Sequence, residues 1–370
     1  MTGRANRRVM DAMDETAAMS TAQAAPDVDT RPILIVPYMW IGDFVRCHTA
    51  VRLINARSPR RPVDMLTTAR TLPLIDYMPG VRKGIVSELP RGRLALAKQW
   101  ELAQRLKAEG YGSALVMPRT WKSALAPFLA GIPERTGFAG EGRFVLLNDV
   151  RWGERGLERM LDRKVALSLP KRTALPASLP LPTLVVPAAE VSAWRARRGL
   201  KESRVVALCP ATVGPGRRWP VERYGELARA LAADGVAVWV LGSPDDRSLA
   251  TDIANAGGAA VRDLTGEDLR DAILALAATD VAVANDSGLL HVAAALATPA
   301  VGIFGPSSPH LTGPLNPLAA AIEPTSAVCS TCGRKDCTRL DHRRTEDIPV
   351  EPVLDAVRRT LESAGTVAAR

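Results

Sequence analysis

Apolar and polar residues alternate along most of this chain as they do in α/β proteins. Short apolar runs have the length of buried strands, and the segments after them carry apolar residues at helical spacing. In the first half this pattern predicts strands at residues 32–37, 63–66 and 114–117 and helices at residues 44–56 and 94–108. We expect these elements to form an open, mostly parallel sheet.

A proline-rich segment interrupts the alternation. Residues 165–187 contain five prolines and no helical period, which predicts a linker, and we place it at residues 171–187. Beyond it the alternation resumes more clearly and predicts a doubly wound α/β domain. Its predicted strands are residues 205–209, 236–241, 260–264, 281–284 and 301–304, and its predicted helices begin near residues 220 and 245 and span residues 268–278, 288–296 and 350–361.

The expected fold class is therefore α/β, with two Rossmann-like doubly wound domains. We place these domains at residues 31–170 and 188–349, with a disordered extension at 1–30 before them and a C-terminal helix and tail at 350–370 after them. Ligands bind at the carboxyl ends of parallel strands, and domain interfaces form pockets. We therefore expect a ligand cleft between the two domains.

The positive charge of the chain is concentrated in its first domain. Hydrophobic residues make up 47% of the 370 residues and charged residues 24%, which excludes a disordered or fibrous protein. The net charge is +9, but residues 31–172 alone hold 25 basic and 12 acidic residues, a net charge of +13. This excess predicts an anionic partner for the first domain. Aromatic residues are only 4% of the chain, so few platforms exist for stacked nucleic-acid bases.

Targeting signals and cysteine usage indicate the compartment. No run of about 18 apolar residues occurs, and residues 1–30 lack the apolar stretch of a secretory signal. The five cysteines are odd in number, and two of them, Cys47 and Cys209, lie inside predicted core elements. That pattern is typical of a reducing cytoplasm.

The turn after the predicted strand 281–284 is the most informative segment. Its sequence, Asn-Asp-Ser-Gly-Leu-Leu-His at residues 285–291, passes directly into a helix. Asp286 or Ser287 can cap that helix, Gly288 allows a ligand to approach, and the free N–H groups with the helix dipole favour an anion. His291, one turn later, can donate to a phosphate or be a structural residue. An ordinary capped helix explains the same residues.

Residues 209–220, with the sequence CPATVGPGRRWP, join another strand end to a helix start. Two glycines and two arginines beside a helix N-terminus suit a diphosphate, because guanidinium pairs bidentately with phosphate oxygens. The glycines do not form the G-x-G-x-x-G pattern of dinucleotide-binding turns. An ordinary turn with solvated arginines is the alternative.

The first strand-to-helix turn contains Gly42 and Asp43. A carboxylate at the mouth of a cleft can act as a general base, and Gly42 gives the backbone freedom to expose it. Spacing alone favours a helix N-cap for Asp43.

Together these segments resemble the lipopolysaccharide heptosyltransferases, which are inverting glycosyltransferases of the GT-B fold. The likeness runs from about residue 31 to residue 358 and keeps the family's order of motifs. The motifs are the Gly42-Asp43 turn, the loop at 214–220, the turn at 285–291 and the Gly-Pro-Ser-Ser-Pro run at 305–309. The last run and the cysteines after it are most similar to the enzymes that add the second heptose.

The resemblance implies transfer of heptose from ADP-heptose to the anionic inner core of lipopolysaccharide, on Kdo–lipid A, with inversion and without a cofactor. It implies that Asp43 is the general base and that Arg217, where the family commonly has lysine, offsets charge on the departing diphosphate. It also implies that ADP-heptose is bound by Thr212, Arg217, Asp286, Ser287, Gly288 and His291. Because that acceptor is a membrane lipid, the expected location is the inner face of the inner membrane, as a peripheral protein with no nucleic-acid partner.

A cysteine cluster near the C-terminus has the spacing of a short zinc knuckle, with Cys329, Cys332, Cys337 and His342 as possible ligands. Its basic flanks would also fit a nucleic-acid-binding module. The same stretch resembles a cysteine-rich part of the heptosyltransferases. We rank a loop with reduced thiols first, a structural zinc site second and nucleic-acid binding third.

Other functions stay open at the level of sequence. A non-catalytic protein that keeps the nucleotide-sugar pocket would share these motifs, as would a related glycosyltransferase with a different sugar donor. A nicotinamide-dependent dehydrogenase would share the two α/β domains, but the glycine fingerprint is missing.

Overall fold

Two parallel sheets organise the chain, one in each half. The computed structural model describes residues 29–90, 93–214, 216–266, 268–325 and 344–368. The predicted N-terminal extension, apart from its last two residues, and the whole cysteine cluster lie outside these ranges.

The first sheet has six parallel strands in the order β3-β2-β1-β4-β5-β6. They are β1 (Ile33–Val36), β2 (Val63–Thr67), β3 (Val81–Val86), β4 (Ser113–Val116), β5 (Glu134–Phe138) and β6 (Asp149–Arg151). The helices of this half are α1 (Ile41–Arg46), α2 (His48–Arg57), α3 (Leu72–Ile75), α4 (Leu96–Ala108), α5 (Trp121–Leu129) and α6 (Met160–Ser168).

The first half differs from its prediction in several places. The single helix expected at 44–56 is two helices, α1 and α2, that meet at Cys47, whose own backbone angles are helical. Helix α6 extends to Ser168. The prediction that residues 165–187 have no helical period is therefore wrong for residues 165–168. Strands β3, β5 and β6 and helices α3, α5 and α6 were not predicted.

The second sheet has six parallel strands in the order β12-β11-β10-β7-β8-β9. They are β7 (Val205–Cys209), β8 (Ala237–Val240), β9 (Val261–Asp263), β10 (Val281–Asn285), β11 (Ala300–Ile303) and β12 (Ala319–Ile322). The helices are α7 (Ala188–Arg197), α8 (Val221–Ala233), α9 (Arg247–Gly257), α10 (Leu269–Ala277), α11 (Gly288–Ala295), α12 (Pro309–Thr312) and α13 (Val350–Ala368). The doubly wound α/β fold is confirmed, and β12, α7 and α12 are additional to the prediction.

The order of the strands reverses at the same place in both sheets, between the first and the fourth strand of each half. Those pairs are β1 with β4 and β7 with β10. In doubly wound sheets the crevice beyond the carboxyl ends of such a pair is where ligands bind. The central strands β1 and β10 are buried at every position, since helices cover both faces of a parallel sheet.

One hydrophobic cluster of buried residues spans both halves. It contains Phe44 and Tyr77 from the first half with Leu274 and Leu290 from the second. Residues 169–187, which contain no helix or strand, run between the halves and bond to both. Along this segment the Leu184 N–H donates to Ala295 O and the Val185 N–H donates to Tyr77 O, each at 2.8 Å.

Helices α1 and α11 meet between the halves, and two glycines permit the contact. A Cβ atom added at Gly42 would lie 2.5 Å from His291 Cδ2. One added at Gly288 would lie 2.8 Å from Ile41 Cβ. A larger residue at either position would have to displace these neighbouring atoms.

Replacing Gly288 by alanine should destabilise the protein, because Ile41 Cβ is fixed by its own backbone and cannot yield to the new methyl group. We expect the free energy of unfolding in urea to fall by about 1–3 kcal/mol, the usual cost of overpacking. Gly156→Ala is the control, since a Cβ atom there meets nothing within 4 Å. Equal stability of the two variants would contradict the close approach.

Candidate functional site

The loops after β7 and β10 lie side by side because these strands are neighbours, with Cys209 paired to Ala284. The side chain of Asn285 joins the two loops. Its Nδ2 donates to Pro210 O at 2.7 Å, and its Oδ1 accepts the Trp219 N–H at 3.0 Å. Asn285 therefore holds both ends of the loop 210–219 against the end of β10.

The middle of this loop is shaped by glycines and by a turn near the C-terminus. Gly214 and Gly216 have φ angles of 105° and 73°, which only glycine adopts without strain. The Thr345 hydroxyl donates to Gly216 O at 3.2 Å and to Arg218 O at 2.7 Å. These contacts fix the backbone on each side of Arg217.

Asp286, directly after β10, contacts two of the other predicted residues, Thr212 and Arg217. Its carboxylate is buried, and its Oδ2 lies 3.6 Å from Arg217 Nη1 and 3.5 Å from the Thr312 hydroxyl. The Thr212 hydroxyl donates to Asp286 O at 3.0 Å. The structure thus brings Thr212, Arg217 and Asp286 together, as their motifs predicted, and adds Thr312.

Helix α11 begins two residues after Asp286. Ser287 occupies the N-cap position, but neither its side chain nor that of Asp286 caps the helix, so the capping expected from the sequence is wrong. Within the described part of the chain, the hydroxyls of Ser287 and Ser307 are buried without a hydrogen-bond partner. Buried polar groups without partners are costly, and an anion at this helix end would satisfy the Ser287 hydroxyl together with the free N–H groups.

Asp43 lies in the first turn of α1, at the carboxyl end of β1, and its carboxylate is bound by two cations. Its Oδ1 is 3.0 Å from Lys164 Nζ and 3.4 Å from Arg46 Nη2. The side chain of Asp43 is 17% exposed and that of Lys164 only 1%. The N-cap of α1 is Trp40, so the N-cap alternative for Asp43 was wrong.

The cations decide the charge state of Asp43. Burial raises the pKa of the carboxyl, but the charges of Lys164 and Arg46 and the hydrogen bond from Lys164 outweigh it, so the pKa lies below its ordinary value. Asp43 is therefore ionised at neutral pH. Lys164 also lies 5.2 Å from the centre of the Tyr38 ring, a cation–π contact that compensates part of its own desolvation.

His291, on α11, lies next to Gly42, the residue before Asp43. It is buried on α11 with its ring against Gly42. Burial, followed by the charges of Arg46 and Lys164, lowers its pKa well below the ordinary value, although Asp43 raises it. The imidazole is therefore neutral at neutral pH and can donate one N–H.

Of the seven predicted residues, Asp43 lies on α1 and Gly288 and His291 lie on α11, where these two helices meet. Ser287 is the N-cap of α11, and Thr212, Arg217 and Asp286 are grouped within the second half. No role was predicted from the sequence for Lys164, Arg46 or Asn285, although Asn285 is the first residue of the predicted turn at 285–291. A signal for Lys164 exists in hindsight, since it lies in one helical stripe with the buried Leu161 and Val165. A lysine in such a stripe indicates a buried partner.

Within the described ranges, no group of three or more His, Cys, Asp or Glu side chains is placed to hold a metal ion. The proposed zinc ligands Cys329, Cys332, Cys337 and His342 lie outside those ranges. Cys47 and Cys209 are free and buried, as expected for residues in core elements.

Replacing Lys164 by methionine should raise the pKa of Asp43, because burial would then be opposed mainly by Arg46. A depressed carboxyl pKa stabilises the fold above the unfolded pKa, near about 3.9, and this stabilisation is lost as pH falls through the folded value. We expect the variant to lose about 2–4 kcal/mol of unfolding free energy at pH 7, and the loss to shrink in acid.

Urea denaturation at several pH values measures this effect. Lys171→Met is the matched control, because Lys171 is exposed and 3.9 Å from Asp149, and surface pairs contribute little. A loss that is the same at pH 3 and pH 7 would show that Lys164 does not act through Asp43.

Comparison with known proteins gives the family. The sequence profile of Glycosyltransferase family 9 (heptosyltransferase) matches residues 99–341. Lipopolysaccharide heptosyltransferase 2 of Escherichia coli strain K12 is 39% identical over 303 residues, which are 78% of this chain and 87% of that protein. Lipopolysaccharide heptosyltransferase 2 of Salmonella typhimurium is 36% identical over 346 residues, 90% of this chain and 99% of that protein.

Among solved structures, ADP-heptose LPS heptosyltransferase II of E. coli superposes with a TM-score of 0.79 at 35% identity, over 90% of this chain and 99% of that chain. The GT-B fold expected from the motifs is therefore confirmed. The chain belongs to glycosyltransferase family 9, the heptosyltransferases, and is a glycosyltransferase.

Proposed function

We propose that this protein transfers heptose from ADP-heptose to the inner core of lipopolysaccharide. The observation that carries the proposal is the contact of α1 with α11, which sets an ionised carboxylate, Asp43, beside a helix end suited to a diphosphate. Relatives at 36–39% identity named lipopolysaccharide heptosyltransferase 2 support heptose as the sugar and lipopolysaccharide as the acceptor.

The donor is assigned to the loops after β7 and β10. The diphosphate of ADP-heptose would accept hydrogen bonds from the N–H groups that begin α11 and from the Ser287 hydroxyl. Arg217 would pair with its oxygens, and His291 and Thr212 would line the same pocket. As the bond to the sugar breaks, charge grows on the departing diphosphate, and Arg217 and the helix dipole offset it.

The base is assigned to Asp43. It takes the proton of an acceptor hydroxyl while that oxygen bonds to the anomeric carbon and the carbon–oxygen bond to the diphosphate breaks on the opposite face. One displacement of this kind inverts the configuration of the sugar. Lys164 and Arg46 keep Asp43 ionised, so it is ready to accept a proton throughout the neutral range.

The acceptor is assigned to the first half of the chain. Lipopolysaccharide inner core carries carboxylates and phosphates on Kdo–lipid A, and residues 31–172 have a net charge of +13. Because lipid A is held in a membrane, the protein would work as a peripheral protein at the inner face of the inner membrane. A screen of nucleotide sugars, with Kdo–lipid A acceptors that carry or lack a first heptose, tests both substrates.

Replacing Asp43 by asparagine should remove the base while the carboxamide keeps the shape of the side chain. We expect the rate of heptose transfer to fall about 10³-fold, the scale of general-base catalysis, with ADP binding by calorimetry unchanged. The control is Asp252→Asn, an exposed position on α9. Turnover near the wild-type rate would disprove the assignment of the base.

Replacing Arg217 by alanine should weaken catalysis through the leaving group. We expect kcat/KM for ADP-heptose to fall about 10²-fold, with partial recovery in Arg217→Lys, which keeps the charge but not the bidentate geometry. Arg218→Ala, at the exposed neighbouring position, is the control. If both alanine variants lost activity equally, the assignment of Arg217 to the diphosphate would be wrong.

A further inference from the structure

Large apolar side chains are exposed at one end of the first sheet, where the carboxyl ends of its parallel strands lie. We call this set the apolar edge, and its members, 44–77% exposed, are Trp40, Leu94, Leu96, Trp100, Phe144, Val145 and Trp152. Trp40 follows β1, Phe144 and Val145 follow β5, and Trp152 follows β6. Because these strands are parallel, their carboxyl ends share one edge, and these four side chains lie along it.

The beginning of α4 extends the same edge. Glu109, just after α4, is 2.6 Å from Lys83 near the start of β3, and Arg105 Nη1 donates to Val86 O, at the end of β3, at 2.9 Å. The helix therefore runs antiparallel to the strand and reaches beyond its end. Its first two turns, with Leu96 and Trp100, project past the carboxyl edge of the sheet.

Buried polar contacts hold the loops of the apolar edge in place. The Arg143 guanidinium, 2% exposed, donates to Phe138 O at 2.7 Å and to carbonyl groups of the loop after β4, Pro118 O and Thr120 O. The rings of Phe144 and Trp152 stack at 5.9 Å between centroids. The aromatic rings are thus presented to solvent by a fixed scaffold, and a large exposed apolar surface of this kind marks an interaction site.

The net charge of the first half favours an anionic occupant of the apolar edge. Exposed residues of both signs lie among the apolar ones, and Lys98 is 3.7 Å from Glu88. The basic residues are Arg93, Lys98, Arg119 and Arg155, and the acidic ones are Glu88, Glu101 and Glu141. The carboxylate of Glu154 is held at 3.0 Å by Arg119, and Glu141 accepts the Trp121 N–H at 3.1 Å. The whole half carries a net charge of +13, which disfavours contact between two copies of the chain.

We propose that the apolar edge inserts into the headgroup region of an anionic lipid bilayer. Tryptophan and phenylalanine with flanking arginine and lysine are the residues that enter this region, where apolar rings leave water and cations meet lipid phosphates. No helix among the described residues is long and apolar enough to cross a membrane. Trp40 is three residues from Asp43, so docking would bring the bilayer surface beside the proposed base.

This proposal deepens the proposed function, on which it rests for the lipid nature of the acceptor. The two are tested separately, because binding to acceptor-free vesicles requires no transfer. The probes are vesicles of phosphatidylethanolamine with phosphatidylglycerol, and vesicles of phosphatidylcholine alone. The variants are the pair Phe144→Ala with Trp152→Ala and the pair Leu96→Ala with Trp100→Ala.

We expect wild-type protein to co-sediment with the anionic vesicles, less at high salt, and each paired variant to bind about tenfold more weakly or worse. The control is Phe128→Ala. Phe128 is 36% exposed at the far end of α5, near the amino ends of the strands, so its loss should leave vesicle binding unchanged. Transfer to a water-soluble acceptor without acyl chains should also be unchanged in the paired variants.

Three results would overturn the proposal. The first is vesicle binding of both paired variants equal to that of the wild type. The second is equal loss of binding in Phe128→Ala. The third is a wild-type dimer that the paired substitutions dissociate, which would assign the edge to a second copy of the chain. If transfer to the soluble acceptor fails in the wild type while vesicle binding follows the expectation, the proposed function fails and the docking surface stands.

Discussion

The close approach of α1 and α11 is the constraint on which the site depends. Each helix begins at the carboxyl end of a central strand, one in each sheet, and each contributes a glycine where the other helix passes. Gly42 makes room for the His291 ring, and Gly288 makes room for Ile41. Through this contact a carboxylate from one half and a helix N-terminus from the other become parts of one site, and neither half holds both.

Electrostatics within this site follows from burial. The ammonium group of Lys164, which is 1% exposed, is stabilised by the Asp43 carboxylate and by the aromatic face of Tyr38. The charges of Lys164 and Arg46 in turn hold Asp43 ionised and disfavour a further positive charge on His291. Around Asp43 the structure therefore places one carboxylate and one neutral imidazole beside the cations of Lys164 and Arg46.

Much of the fold was predictable, because strands covered on both faces are continuous apolar runs. The predicted bounds of β7 match the structure, and those of β10 differ by one residue. Strands β5 and β6 lack that pattern, since Glu134 is exposed and Asp149 to Arg151 are only partly buried. For the site, Asp43 and Arg217 could be predicted because they lie in short local motifs. Lys164 pairs with Asp43 from 121 positions away in the sequence, and no local spacing pattern predicts a contact between residues so far apart.

The amide of Asn285 has a consequence for the energy of ligand binding. Since it holds Pro210 O and the Trp219 N–H within the protein itself, the loop that carries Arg217 is already in place before any ligand arrives. A preorganised loop does not have to lose conformational entropy when it binds, so more of the intrinsic contact energy is kept as affinity. The entropy of ordering this loop is lost during folding, through the contacts of Asn285 and of the Thr345 hydroxyl.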